Sequence, residues 1–363
     1  MESDPNNGAY CLDVHAAYGC EHSGACCTAG WPIPIEAPAY ETVRVHFCAE
    51  RALFETRRPL PVGAAAIVNT RPTGDCVFFE ADGGRLCSIH RELGPAHLPN
   101  ACRQFPRVVL HDARGLLISL SHFCPTAARL LLTPARLNIV GASSALALGG
   151  AAEGLDARSA LPPLLRPGML TDIEGYAAWE SRALQTLARD DLTSDRALAA
   201  IDGATRNVQQ WRPGPTRLDE TVNREFDVAS AVNRDQDLGA DRARARLALA
   251  SVPAGVGGVE PARFDDLEDG WQRVSRWWPE VDRAVRAYLA ARLFGNWVAY
   301  HGQGLHAIVE YLRVALSVLK LEAARHDAGA SFTPWQTVTE AVRSADLLLV
   351  HLTDPQQLAR RVS

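Results

Sequence analysis

The sequence predicts a mostly helical α+β protein in two parts: a small, irregular, cysteine-rich metal-binding domain over residues 1–150 and a helical bundle domain over residues 151–363. All nine cysteines lie within the first 124 of the 363 residues, the last being Cys124. Residues 149–168 are rich in Gly, Ala and Pro, which is typical of a boundary between domains. Beyond them, apolar residues recur at the spacing of an amphipathic helix, as at Val281, Val285 and Tyr288.

The clustered cysteines have three possible roles, and metal ligation fits them best. Disulfide frameworks belong to small secreted domains, whereas this chain is long, has an odd cysteine count and opens on polar and acidic residues rather than a signal peptide. Burial as a small apolar side chain suits Cys48 and Cys11. It does not suit Cys76, Cys87 and Cys102, which sit among turn residues and charges. Thiolate ligation of zinc or of an iron–sulfur cluster remains.

Seven thiols are therefore the candidate metal ligands. They are Cys20, Cys26, Cys27, Cys76, Cys87, Cys102 and Cys124. Their spacing is wider than that of a zinc ribbon, so several loops must bring them together, in one site or two. Asp82-Gly83-Gly84 predicts a hairpin that would place Cys76 near Cys87. Pro125 predicts a helix capped by Cys124, which would face its thiolate towards unpaired N–H groups. His22 and His90 are further candidates beside the cysteines.

Local patterns predict the remaining elements. In the first part we expect extended chain at 31–35, a helix over 36–55, a strand over 64–68 and a hairpin over 108–120 with a five-residue turn at 111–115. In the second part, Thr171 and Glu174 form a capping-box pattern that predicts a helix to about Arg189. Further helices are predicted from Ser194, within 218–252, around 281–289, over 305–325 and from Thr333-Pro334 onwards.

Composition excludes several functional classes. The chain is 47% hydrophobic and 22% charged, with a net charge of −5 and a pI of about 6.1. A slightly acidic chain argues against a general nucleic-acid surface. No apolar run approaches the length of a transmembrane helix, so neither a membrane span nor a membrane partner is expected. Free thiols and these properties together predict a cytoplasmic protein.

Three segments carry a family resemblance. They are CCTAGWPIPIE at 26–36, LCSIHRELGPAHLPNACRQFPR at 86–107 and SLSHFCPTAARLLL at 119–132. In these segments, and in their order, the chain resembles the flagellin lysine-N-methylase family and the wider CxxCxxCC zinc- or iron-chelating cysteine-cluster proteins. The resemblance covers roughly residues 18–135, and YLAARLFGNW at 288–297 is similar to the family's later helices. One departure is Cys20, which five residues separate from the Cys26-Cys27 pair, whereas family members often place a cysteine about three residues before it.

The resemblance implies a zinc site or an iron–sulfur cluster of the [4Fe-4S] type, and transfer of a methyl group from S-adenosylmethionine to a lysine. The substrate would then be a protein, a peptide or a small amine. Arg103 and Arg107, which the resemblance carries beside Cys102, are candidates for cofactor binding. The alternative is a non-catalytic metal-binding protein with a structural, redox or metal-handling site. The sequence offers no glycine-rich cofactor loop, since the GVGG run at 255–258 does not follow a strand.

The helical part supplies aromatic residues but few charged clusters. Trp271, Trp277, Trp278 and Trp297 crowd one region, where they serve either as core or as a surface for a sulfonium or methylated ammonium ion. His301 and His306 follow as loop residues that are either solvated or basic catalysts. We expect a cleft between the two parts, with Cys102, Arg103 and Arg107 on one wall and residues 271–306 on the other.

Overall fold

A computed structural model describes residues 8–47, 53–56, 59–81, 84, 86–147, 153–228, 238–253, 267–327 and 332–363. Its elements confirm a mostly helical α+β fold in which short strands precede long helices. Among the residues described, none of the helices combines the length and the apolar character that crossing a membrane requires.

The strands are short and form four small sheets. They are β1 (Ala9–Leu12), β2 (Ile33–Glu36), β3 (Phe54–Glu55), β4 (Ala64–Val68), β5 (Phe79–Glu80), β6 (Leu86–Cys87), β7 (Arg107–Asp112), β8 (Gly115–Leu120), β9 (Ile139–Gly141), β10 (Leu155–Asp156), β11 (Leu164–Arg166) and β12 (Met169–Leu170). The largest sheet has the order β10-β7-β8-β1-β9, and the others are β2-β4-β3, β5-β6 and β11-β12.

The helices lengthen towards the C-terminus. They are α1 (Ala37–His46), α2 (Ser88–Leu93), α3 (Asn100–Gln104), α4 (Pro125–Leu130), α5 (Ser144–Ala147), α6 (Ile173–Ala188), α7 (Ser194–Val208), α8 (Leu218–Val228), α9 (Leu238–Leu249), α10 (Glu268–Leu293), α11 (Val298–His301), α12 (Leu305–Asp327), α13 (Pro334–Asp346) and α14 (Pro355–Arg361). A π-helical turn, Leu347–Leu352, joins α13 to α14.

Both predicted hairpins form, because turn residues lie between β-prone runs. Strands β5 and β6 pair antiparallel, with Phe79 opposite Cys87. Strands β7 and β8 pair from Arg107 opposite Leu120 to Asp112 opposite Gly115, so their loop has two residues rather than the predicted five. The loop is short because the ladder continues through His111 and Asp112 to Gly115, which has a φ of +125°.

The predicted helix over 36–55 is wrong in its second half. Helix α1 ends at His46, and Phe54–Glu55 instead pairs with Val68 and Ile67 of β4. Cys48 lies outside the described residues. Further on, the α6 helix begins as predicted, but its N-cap is Asp172, whose carboxylate accepts a hydrogen bond from the Gly175 N–H at 2.5 Å.

The largest apolar core connects the sheet with the helices. It contains Leu110 and Leu117 of the β7–β8 hairpin together with the inner faces of α6, α7, α10, α12 and α13. Strand β10, which follows residue 150, pairs with β7 of the N-terminal sheet. Hydrogen bonds reinforce this contact, because the Trp297 indole N–H donates to the Val109 carbonyl at 3.0 Å and Arg114 pairs with Glu180 at 2.7 Å.

Candidate metal centre and adjoining cleft

Five of the seven candidate ligands lie in one region of the N-terminal part. They are Cys26, Cys27, Cys76, Cys87 and Cys102. Local pairing explains how they meet. The Cys76 N–H donates to the Cys27 carbonyl at 2.7 Å, which ties the first cysteine segment to the second. The β5–β6 hairpin brings Cys87 back beside Cys76, and α3 carries Cys102 against β2.

The surroundings of these cysteines disfavour the ionisation of several of the thiols at once when no metal binds them. Burial raises the pKa of Cys76 to about 11, and it also raises the pKa of Cys87 and holds that of Cys102 well above its ordinary value. The negative charge of Cys26 adds to the rise at all three. A metal cation would remove this penalty because it neutralises the thiolates that bind it, although among the described residues no three of these sulfurs lie within 4.8 Å of one another.

Backbone N–H groups are already directed at two of the sulfurs. Cys87 is the N-cap of α2, and the N–H groups of His90 and Ile89 act to lower its pKa against the larger effect of burial. The N–H group of Phe78 acts in the same direction on the pKa of Cys76. N–H groups placed in this way favour the thiolate form and would tune a metal bound there.

Cys26 and Cys27 are adjacent and differ in character. Their sulfur atoms are 3.9 Å apart, and a hydrogen bond between them lowers the pKa of Cys26 and raises that of Cys27. Cys26 lines an open cleft, whereas Cys27 packs in the apolar cluster that contains Cys76. Cys26 is therefore the more readily ionised of the two.

The other two candidate ligands lie around Tyr18. Cys124 is the N-cap of α4, as predicted, and is buried against the five-stranded sheet with its sulfur 3.9 Å from the Tyr18 hydroxyl. Cys20 is exposed, and its sulfur lies 4.0 Å from Nδ1 of His22. Its charge also acts on Tyr18. Five of the seven predicted ligands thus lie together and the other two lie around Tyr18, but the His22 ring beside Cys20 also lies 5.6 Å from the ring of His90 in α2. Cys11 is buried in β1, where burial raises its pKa to about 11.

A cleft of about 440 Å³ opens beside the five cysteines. Its walls include Cys26, Cys102, Trp31, Phe105, Arg107, Ser121, Glu153 and His351. The prediction that residues 271–306 form the second wall of the cleft is wrong. Among the described residues that line the cleft, none comes from this segment, and His351 of the π-helical turn forms part of the wall instead. Residues 291–298 instead line a neighbouring apolar cavity of about 120 Å³, which shares Val108 with the cleft.

The two arginines beside Cys102 have different surroundings. Arg107 lines the cleft, but its guanidinium donates to the carbonyls of Leu146 at 2.7 Å and Ala145 at 2.9 Å and lies 5.8 Å from the Tyr18 ring centre. Burial lowers its pKa. Arg103 donates to the side-chain oxygen of Asn100 within α3. Arg107 is therefore the one of the two that adjoins the cleft space.

Ser121 and His351 form a pair in the cleft wall that sequence reasoning missed. Oγ of Ser121 lies 2.6 Å from Nε2 of His351, and burial lowers the pKa of His351 to about 4. The ring is consequently neutral near pH 7, and the tautomer of the imidazole decides which of the two groups donates the hydrogen bond. Ser121 belongs to the SLSHFCP segment at 119–125, but nothing in the sequence indicated that a histidine 230 residues later would reach it.

Behind this pair, a buried polar network holds the same loop. Asp346 accepts hydrogen bonds from the backbone N–H of His122 at 2.5 Å and from the Tyr288 hydroxyl at 2.9 Å, and Nδ1 of His122 lies 3.1 Å from it. Nε2 of His122 then accepts from Nε2 of His15 at 3.1 Å. Arg292 lies 3.6 Å from Asp346 and donates to the Leu120 carbonyl at 2.6 Å. The network fixes the loop that carries Ser121.

The tryptophan-rich segment is largely core. Trp271 and Trp278 are buried, with ring centres 5.5 Å apart. The only lysine, Lys320, lies over Trp271 and pairs with Asp195 at 2.8 Å, so it is not offered to solvent. His306 does meet two carboxylates, Asp202 and Glu310, in the one group of three or more potential metal-binding side chains within 4.8 Å that the described residues contain.

That group already holds a cationic side chain. Arg313 pairs with Asp202 at 2.7 Å and also with Glu310, so its guanidinium takes the position of a counter-ion. We therefore assign the group a structural role in joining α7 to α12.

Comparisons with known proteins leave the family open. A scan against protein-family models found no match for this chain. Searches of curated proteins and of solved structures likewise found none.

Proposed function

We propose that this chain is an iron–sulfur protein that N-methylates a lysine or a similar amine with S-adenosylmethionine. The observation that supports it is the position of five cysteines beside a cleft whose wall includes two of them, Cys26 and Cys102. The substrate would be a protein, a peptide or a small amine, without nucleic acid or membrane. A reducing compartment such as the cytoplasm suits a site built from free thiols.

The proposed ligands are four cysteines. Cys76, Cys87 and Cys102 come from three separate segments, and Cys26 is the fourth ligand. A bound iron–sulfur cluster would supply an iron able to take the amino and carboxylate groups of the cofactor. Tetrahedral zinc with bonds of about 2.3 Å would hold its sulfurs about 3.8 Å apart. Among the described residues, no three of the thiols lie within 4.8 Å of one another. A cluster separates its ligands more widely because each binds a different iron.

The protein's own side chains would prepare the amine. A lysine ammonium has an ordinary pKa of about 10.4 and must lose a proton before its nitrogen can attack a methyl group. The apolar ring of Phe105 lines the cleft and would strip water from the ammonium, which lowers its pKa. The neutral amine would then lie in a space large enough for it and for a cofactor of ordinary size.

Metal analysis tests the first half of the proposal. Protein purified without oxygen should contain iron and inorganic sulfide and absorb visible light near about 400 nm, as iron–sulfur clusters do. A colourless protein with one equivalent of zinc would contradict this expectation. Calorimetric titration with S-adenosylmethionine tests the second half.

Single substitutions test the ligand set. Cys76→Ala and Cys102→Ala should each lower the metal content strongly and destabilise the N-terminal part, since metal binding contributes directly to folding in such sites. Cys11→Ala is the control, because Cys11 is a fully buried cysteine that belongs to the sheet core. Unchanged metal content in the Cys102 variant, or an equal loss in the Cys11 variant, would refute the assignment.

The alternative is a metal-binding protein without catalysis. The observation that favours it is the lack of a glycine-rich cofactor loop in the sequence. This alternative predicts a metal-loaded protein with no affinity for S-adenosylmethionine, so the calorimetric titration separates the two functions.

A further inference from the structure

The inner wall of the cleft is built from aromatic rings. The Trp31 ring lies 4.5 Å from the ring of His351, 5.1 Å from that of Phe123 and 5.6 Å from that of Phe105, measured between ring centres. Trp31 is only partly buried and lines the cleft together with Phe105 and His351. An indole in this position offers a polarisable, electron-rich surface to whatever occupies the space.

The histidine of this wall is held in a fixed and uncharged state. It lies on the π-helical turn, where the N–H and the hydroxyl of Thr353 both donate to the Leu348 carbonyl, at 2.9 and 2.7 Å. Such turns are rare and recur at functional sites. Oγ of Ser121 lies 2.6 Å from Nε2 of His351, and burial lowers the pKa of His351 to about 4, so the ring carries no positive charge at neutral pH.

The charges around the cleft favour a cation. The Glu153 carboxylate lines it and accepts a hydrogen bond from the Asn100 side-chain amide at 2.7 Å. Arg107 is the cation among the lining residues, and it is directed at two backbone carbonyls and the Tyr18 ring. Outside the lining, Arg343 lies over Phe123 and is paired with Glu340 at 2.6 Å.

We propose that the cleft binds a small organic cation, a sulfonium or an alkylated ammonium, with its positive centre against the Trp31 ring. Aromatic faces attract such cations most strongly when water is excluded, and tryptophan is the best of them. A volume of about 440 Å³ lies in the usual range for small-molecule sites. The identity of the natural cation rests on the proposed function, whose cofactor is a sulfonium and whose product is an alkylated ammonium.

Calorimetry with simple probes tests the proposal on the intact, metal-loaded protein. Trimethylsulfonium and tetramethylammonium should bind, and the uncharged tert-butanol, which has a similar size and shape, should not. S-adenosylmethionine should compete with both probes, and S-adenosylhomocysteine, which lacks the positive charge, should compete less well. Equal affinity for tert-butanol and for tetramethylammonium would overturn the proposal without any variant.

Substitutions locate the binding site. Trp31→Leu should weaken binding of tetramethylammonium by about 5- to 30-fold, which corresponds to one desolvated cation–π contact. Trp31→Phe should retain most of the affinity, and Glu153→Gln should reduce it. Trp335→Leu is the control, since Trp335 is an exposed tryptophan at the start of α13. Unchanged binding in Trp31→Leu would refute the assignment.

The outcomes also separate this proposal from the proposed function. If S-adenosylmethionine binds but neither onium probe competes with it, the cation site is wrong and the proposed function stands. If tetramethylammonium binds at Trp31 in a protein that has no affinity for S-adenosylmethionine, the proposed function is wrong and the cation site stands.

Discussion

Removal of the Asp346 carboxylate should destabilise the protein more than any surface substitution. Asp346 is fully buried and faces the buried guanidinium of Arg292, so Asp346→Ala leaves that positive charge without a partner. Breaking one side of a buried ion pair costs about 3–5 kcal/mol. The His122 N–H and the Tyr288 hydroxyl lose their acceptor in the same variant. Against a total stability of about 5–15 kcal/mol, this loss would be severe.

Graded variants separate the contributions. Tyr288→Phe removes one hydrogen bond to a charged acceptor and should cost about 1.5–3 kcal/mol. Asp346→Asn keeps the shape and one acceptor oxygen, so it should fall between the Tyr288 and Asp346→Ala variants. The control is Asp156→Ala, which removes an exposed carboxylate paired with Arg158 and should change the free energy of unfolding far less than Asp346→Ala does. Urea unfolding followed by circular dichroism at pH 7 measures all four free energies. A loss below about 1 kcal/mol for Asp346→Ala would refute this account of the network.

The pH dependence provides an independent check. Hydrogen bonds and the Arg292 charge overcome the opposing effect of burial and hold the pKa of Asp346 well below its ordinary value of 3.8. A carboxyl group with a depressed folded pKa contributes stability that is present above its unfolded pKa and is lost as the pH falls towards the folded one. The wild type should therefore lose stability below about pH 4 more steeply than Asp346→Asn does.

Two further predictions concern buried histidines and one helix crossing. Burial lowers the pKa of His326 to about 4 and that of His15 well below its ordinary value, so each should bind a proton on unfolding below about pH 6.5. The protein should therefore lose up to about 1.4 kcal/mol of stability per pH unit for each of these histidines as the pH falls. Urea midpoints that stay constant from pH 7 to 5 would contradict this. Gly270→Ala should cost about 1–3 kcal/mol, because a Cβ atom there would lie 2.4 Å from the Ala324 carbonyl oxygen of α12. Gly203→Ala should be neutral or stabilising, because a Cβ atom at this position in α7 would lie in open space. Thermal melts of the two variants measure both effects.

The sequence predicted those features that depend on neighbouring residues. The Thr333-Pro334 start of α13 has the capping box that its residues indicate, with Gln336 completing it. Cys124 caps α4 because Pro125 disfavours helical backbone angles at the residue before it, and Cys124 is extended. The two hairpins depend on turns of a few residues between β-prone runs. In each case the deciding interactions span fewer than about ten residues, so pattern reasoning applies.

Prediction from the sequence fails where tertiary packing decides the structure. Helical periodicity predicts a helix at Phe54–Glu55, whereas pairing with β4 makes this segment a strand. The periodicity alone does not reveal that pairing partner. Trp271 and Trp278 were equally compatible with a core and with a ligand surface, and burial in the helical core assigns them to the core. The division of the cysteines into five and two depends on how the loops fold around Tyr18, for which spacing carries no signal.

The composition of the cleft explains why a long helical region follows a small cysteine-rich part. The cysteine segments supply Cys26, Cys102 and Trp31, but their own loops leave the cleft open on the side of Ser121. His351 closes this side from the C-terminal π turn, and α13, immediately before that turn, places Asp346 beneath the same loop. Helices α10 and α12 pack against α13 and so hold both groups in position. The helical region thereby provides the rigid support that a binding site needs, which a metal-binding loop domain of this size does not provide for itself.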